Sequence, residues 1–153
     1  MTGVPVRWGF LFLAVIVSAQ TPKAEFSGKW KLDLAKSDFG SAPKPIRMTV
    51  VSTVQGGVMH AVQTTESEAE GTETSEYTWY LDGKRHPTDK PFPGYSITKW
   101  DDNTLVNERR SNDGAYRETI RVSLSADGKT ATESIESKNP NGSNHEKLVW
   151  RKE

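Results

Sequence analysis

The chain has 153 residues, with 20 basic and 20 acidic side chains and no cysteine. That length suits one domain with one core. Zero net charge excludes a long-range pull on nucleic acid or an anionic membrane, and the lack of cysteine excludes disulfide stapling, thiol catalysis and cysteine-held metal.

The chain opens on an export pattern. Arg7 gives a positive start, Trp8 to Val17 is an unbroken apolar run, and Val17-Ser18-Ala19 offers the small or β-branched side chains that signal peptidase accepts. As a helix the run reaches about 15 Å, roughly half a bilayer's hydrocarbon core. The expectation is a signal peptide over 1–19 and one secreted or periplasmic domain over 20–153, with no membrane span after cleavage. An uncleaved N-terminal anchor is the alternative. Removal of Arg7 leaves 19 basic against 20 acidic side chains.

Beyond Ala19 no segment carries a helical stripe. Runs of β-branched and aromatic residues are cut by Gly, Asn and Asp turns, which predicts an all-β fold. Trp30, Leu32 and Leu34 alternate with Lys29, Lys31 and Asp33 as a half-buried first strand. Ser37 to Pro45 breaks it. Ile46, Met48, Val50, Ser52 and Val54 form the second strand, and Gln55-Gly56-Gly57 turns the chain into Val58 to Thr65. Glu66 to Glu76 reads as a hairpin bent near Gly71, followed by Tyr77, Trp79 and Leu81. Asp82-Gly83-Lys84 is a turn that tolerates positive φ, and Pro87, Pro91 and Pro93 make 85–94 an irregular loop or an edge.

Tyr95 to Trp100, Thr104 to Arg110 and Ala115 to Leu124 are three further strands. Closing the 111–114 turn as a four-residue loop sets Leu105 opposite Ile120 and Glu108 opposite Arg117. Leu105, Ile120, Val122 and Leu124 then share a buried face with Asn107, Arg109 and Glu118. Ala126-Asp127-Gly128 turns into a weak strand around Ile135, 139–144 is a loop, and Leu148 and Trp150 close the chain. Short connections throughout predict an antiparallel up-and-down meander of about eight to ten strands.

Several blocks resemble a group of uncharacterised bacterial secreted lipocalin-like proteins. They are Gly28-Lys29-Trp30-Lys31-Leu32-Asp33-Leu34-Ala35-Lys36-Ser37-Asp38-Phe39, then Leu81-Asp82-Gly83-Lys84 with Pro87, Thr104-Leu105-Val106, and Leu124-Ser125-Ala126-Asp127-Gly128-Lys129-Thr130. The resemblance implies a calycin-type barrel or open half-barrel and no particular activity. It assigns structural roles to Gly28 and Trp30, the Trp plugging the closed end, and to Arg151 as a cation packed on that Trp. The lipocalin C-terminal helix is missing here.

Chemistry-bearing motifs are sparse. His60, His86 and His145 lack metal-ligand spacing, although His60, between Val58 and Val62, is placed to point inward. Glu66, Glu68 and Glu70 share a face if that segment is extended, which reads as a solvated hairpin tip rather than a Ca²⁺ site, since the EF-hand loop pattern is absent. Asp38-Phe39-Gly40 stands without any phosphate-binding loop, and no Ser elbow exists. Lys84, Arg85, Lys90 and Lys99 read as a solvated face rather than a nucleic-acid patch. The expectation is therefore a non-enzymatic protein with no metal and no cofactor, monomeric or weakly dimeric, binding a small hydrophobic or amphipathic ligand. The recognition set is Tyr77, Trp79, Arg109, Tyr116 and Glu118. The aromatics would supply apolar area and the charged pair would orient a polar head group. Two other readings stay open: an envelope interaction protein with a filled barrel, and a hydrolase or isomerase built around Arg109 and Glu118.

Overall fold

A computed structural model describes residues 25–153 apart from Pro91. The predicted leader over 1–19 lies outside the described residues. These form ten antiparallel strands and no helix: β1 Gly28–Leu32, β2 Arg47–Gln55, β3 Val58–Ser67, β4 Gly71–Tyr80, β5 Arg85–Thr88, β6 Gly94–Asp101, β7 Thr104–Ser111, β8 Arg117–Leu124, β9 Thr130–Asn139 and β10 Gly142–Lys152. The ladder order is β4-β3-β2-β1-β10-β9-β8-β7-β6-β5, so β1 joins β10 and the meander curls into one sheet. Its edges are β4 and β5. β4 comes against β6 without joining the ladder, and the barrel is nearly closed. Pro87 sits in β5, an edge strand, where a missing N–H breaks no central ladder.

Alternation builds most of the interior. Trp30, Leu32, Val50, Ala61, Ala131, Leu148 and Trp150 form one buried cluster. Phe26, Met59, Trp79, Leu105 and Ile120 form a second, and Tyr77, Val122, Leu124 and Ile135 pack against both. An antiparallel meander sends alternate connections to opposite ends. The tight turns after β2, β4, β6 and β8 share one end with Phe26 and the start of β1. The β1–β2 loop and the turns after β3, β5, β7 and β9 share the other.

The β1–β2 loop is pinned along β10. Asp38 and Lys147 exchange backbone hydrogen bonds at 2.7 and 2.8 Å. Asp38 Oδ1 accepts from the Gly40 amide, and Asn144 Oδ1 accepts from the amide and hydroxyl of Ser41. Gly40 has φ +57°, and a Cβ there would meet the His145 carbonyl oxygen. The Asp-Phe-Gly triplet is therefore a turn that lays Phe39 on the core.

Three expectations are corrected. The β7–β8 register is shifted by two: Leu105 faces Val122, Glu108 faces Thr119 and Arg109 faces Glu118. Ala115 and Tyr116 belong to the turn, where the Ser111 hydroxyl accepts from the Tyr116 amide and donates to Asp113. An even shift preserves the faces, so Leu105 and Ile120 still share one core cluster. The Glu108–Arg117 ion pair is lost, and Glu108 instead lies 3.8 Å from Lys99. Next, His60 is exposed and faces outward, with Nδ1 3.3 Å from the Thr78 hydroxyl, because Met59 and Ala61 take the inner positions of β3. Finally, the last hairpin is long, not weak: β9 has ten residues and β10 eleven, with only Pro140 and Asn141 between them.

Candidate functional site

The Gly-x-Trp block closes one end. The Trp30 ring is 4% exposed, and its Nε1 donates to the Phe26 carbonyl at 3.0 Å. The Ser52 hydroxyl donates to the same carbonyl, so residue 26 is tied to the adjacent strands β1 and β2. The Phe26 ring meets Trp100 at 5.8 Å. Gly28 has φ +137°, and a Cβ there would stand 2.6 Å from Lys152 Cε. That vacancy lets Lys152 lie over the Trp30 ring, 5.2 Å from its centroid. The cation on Trp30 is thus Lys152 and not Arg151. Position 152 faces Trp30 across the ladder, whereas Arg151 projects to the other face and binds Asp33 at 2.7 Å. That hydrogen-bonded pair holds the Asp33 carboxyl below its ordinary range.

Above Phe26 and Trp30 lies a cavity of about 60 Å³. Its wall is aromatic and aliphatic, with Tyr77, Trp79, Trp150, Met59 and Leu105 prominent, and it carries one carboxyl group, Glu133. Tyr77 and Trp79 are neighbours on the inner face of β4, with rings 5.5 Å apart and tilted 41°. Glu133 reaches inward from β9, where Oε2 accepts from Trp150 Nε1 at 2.8 Å. Burial pushes the Glu133 carboxyl up to about 7; the Trp150 hydrogen bond opposes this, and the negative charges of Glu146 and Glu118 add to it. Burial also raises the Tyr77 phenol, with a further push from Glu133.

A second cluster forms toward the opposite end. Arg109 Nη1 donates to Glu118 Oε1 at 2.9 Å, and Nη2 donates to the Lys90 carbonyl at 2.7 Å. The Tyr116 hydroxyl donates to Glu118 Oε2 at 2.7 Å, and its ring packs on Phe92 at 4.2 Å. Burial raises the Tyr116 phenol, and its hydrogen bond to Glu118 adds to the shift. Glu146, also raised by burial, accepts from Asn144 Nδ2 at 3.0 Å. This cluster encloses no measurable cavity.

The five-residue recognition set therefore divides. Tyr77 and Trp79 line the cavity, while Arg109, Tyr116 and Glu118 bind one another and the 88–92 segment. Sequence reasoning missed Glu133 and Trp150 as site residues, and it placed Asn107 on the buried face, where it lies. Asn107 is fully buried on the inner face of β7; its Nδ2 donates to Thr98 at 2.7 Å, and Oδ1 has no partner. A signal for Glu133 exists in retrospect. Ala131, Glu133 and Ile135 alternate in step with Leu148 and Trp150 on the facing strand. Among the described residues no three His, Asp or Glu side chains gather as metal ligands.

No protein-family model matches the chain, and no curated protein matches it. Solved structures do. Fatty-acid-binding protein 1 of Echinococcus granulosus superposes with a TM-score of 0.59 at 15% identity, covering 83% of this chain and 96% of that one. A secretory abundant heat soluble protein from Ramazzottius varieornatus gives 0.64 at 10% identity, covering 87% and 98%. Zebrafish ileal bile acid-binding protein complexed with cholic acid gives 0.52 at 13% identity, covering 84% and 98%. This chain is an all-β barrel of ten antiparallel strands, of the shape these proteins share.

Proposed function

We propose that the chain is an exported, non-enzymatic binding protein that holds a small, partly apolar molecule inside the barrel. The carrying observation is the interior cavity, where Trp30, Tyr77, Trp79 and Trp150 surround a single carboxyl group, that of Glu133. Barrels of this shape place ligands in such interiors. The leader read at 1–19, and the likeness of the Gly28–Phe39 and Leu124–Thr130 blocks to secreted bacterial proteins, support export. In this reading Tyr77 and Trp79 supply apolar contact. Arg109, Tyr116 and Glu118, whose polar groups are engaged with one another and with Lys90, hold the far end of the site in shape.

One observation favours the other reading, an envelope interaction protein with a filled barrel. The cavity holds about 60 Å³, while pockets for drug-sized ligands run to roughly 300–1,000 Å³. Native mass spectrometry of the exported protein separates the two. A co-purifying small molecule, with tryptophan emission that changes when it is stripped, is the expected result. An empty protein whose emission and melting temperature ignore a library of lipids, aromatic alcohols and quinones favours the filled barrel. Three of the four described tryptophans line the cavity, so emission reads the site directly.

A further inference from the structure

The cavity lining carries an acid and no base: its neutral donors are hydroxyls and indoles, of which Trp30 and Ser52 are committed to the Phe26 carbonyl. No basic side chain lines the cavity, and its one charged group is the Glu133 carboxyl. Among the described residues a single donor, Trp150 Nε1, reaches that carboxyl. Glu118 and Glu146 stand further along the same inner face and act electrostatically on Glu133. Against these acids stands Arg109, already bound to Glu118 and to the Lys90 carbonyl. The fully buried Asn107, two residues from the cavity-lining Leu105 on the same face of β7, adds an acceptor oxygen that nothing satisfies. A buried carboxyl with one donor keeps unsatisfied lone pairs, and a ligand that donates to it recovers part of that cost. A carboxylate ligand would bring a further negative charge and more lone pairs into the same space.

We propose that this cavity selects apolar molecules whose polar group donates hydrogen bonds, protonated amines foremost, with Glu133 as the receiving residue, and that it discriminates against carboxylates. The aromatic wall suits this choice, since Trp and Tyr faces attract cations and pack against rings. The proposal rests on the binding reading above. It also sets this barrel apart from the neighbours named for fatty acids and bile acids, to which it is similar in fold.

The test is a matched series on the full exported protein at pH 7.5: 2-phenylethylamine, 2-phenylethanol and phenylacetate. They share one ring and differ in the polar group. Affinity is read by calorimetry and by tryptophan emission. The amine should bind about tenfold or more tighter than phenylacetate, as expected for a charge-assisted hydrogen bond, with the alcohol between them. Glu133→Gln should collapse the amine's advantage to within about twofold and leave the alcohol nearly unchanged. Phenylacetate binding as tightly as the amine, or an amine preference that survives in E133Q, overturns the selectivity and leaves the binding reading standing. Silence from all three probes overturns both. Should E133Q fail to fold, the ranking on the unaltered chain decides alone.

Discussion

The two ends of the barrel solve the problem of a closed interior differently. At the Trp30 end, rings fill the space, and the few polar groups are consumed in pinning one carbonyl, that of Phe26. At the Arg109 end, charged and hydroxylated side chains satisfy one another in a chain from Lys90 through Arg109 and Glu118 to Tyr116. The wall nearest that end is exposed along the first half of β4, from Gly71 to Glu76. Burial of apolar area therefore holds the first end and mutual hydrogen bonding holds the second, so the two should respond to different insults. Glu133 sits where the regimes meet: burial raises its proton affinity, its indole partner belongs to the ring cluster, and the negative charges that add to the rise belong to the polar cluster.

The sharpest way to break this contrast is Trp30→Ala. The change empties the plug and frees the Phe26 carbonyl from one donor, and it should cost about 3–5 kcal/mol in urea unfolding. A loss near 1 kcal/mol would mean that the rings at this end do not carry the fold.

Next in size is the pH response of Glu133. Its carboxyl is neutral in the folded protein up to about pH 7, whereas an unfolded glutamate ionises near 4.5. The folded state thus binds the extra proton in that window, and stability falls as pH rises from about 4.5 to beyond 7, by at most about 3 kcal/mol. The groups that act on it are Trp150, Glu146 and Glu118, and Tyr77 is coupled to it in turn. Glu133→Gln keeps an acceptor for Trp150 and removes the titration. The variant should flatten stability between pH 5 and 8 and be the more stable protein at pH 8. Parallel curves for the two proteins would place Glu133 in water.

The smallest of the three effects belongs to the polar end. Arg109→Ala should leave the barrel folded at a cost of about 1–2 kcal/mol, since the pair is only half-buried and Tyr116 still serves Glu118. Hydrogen exchange should quicken over 88–92, where Arg109 holds the Lys90 carbonyl. Unchanged exchange there, or global unfolding, would erase the distinction between the ends.

The strands were legible wherever inner positions are apolar. Trp30-x-Leu32, Met48 to Val54, Tyr77-x-Trp79 and the Leu105/Ile120 face all lie where alternation sets them. The last hairpin was not, because Glu133, Glu146 and Asn144 occupy inner positions and blur the pattern that marks a strand. The same blurring hid Glu133 as part of the site. His60 was misplaced by one step of parity, since valines and Met-Ala alternate on β3 and either set can face the core.

By itself the sequence determined the fold class, the order of turns and which residues share a face, because these follow from local chemistry and a period of two. Only the tertiary structure decided that β1 meets β10, that the β7–β8 turn takes two residues more than the expected four, and that Tyr77 and Trp79 part company with Arg109, Tyr116 and Glu118. Those outcomes depend on contacts between residues far apart in the chain, such as Phe26 with Ser52 and Glu133 with Trp150, whose energies no local pattern records.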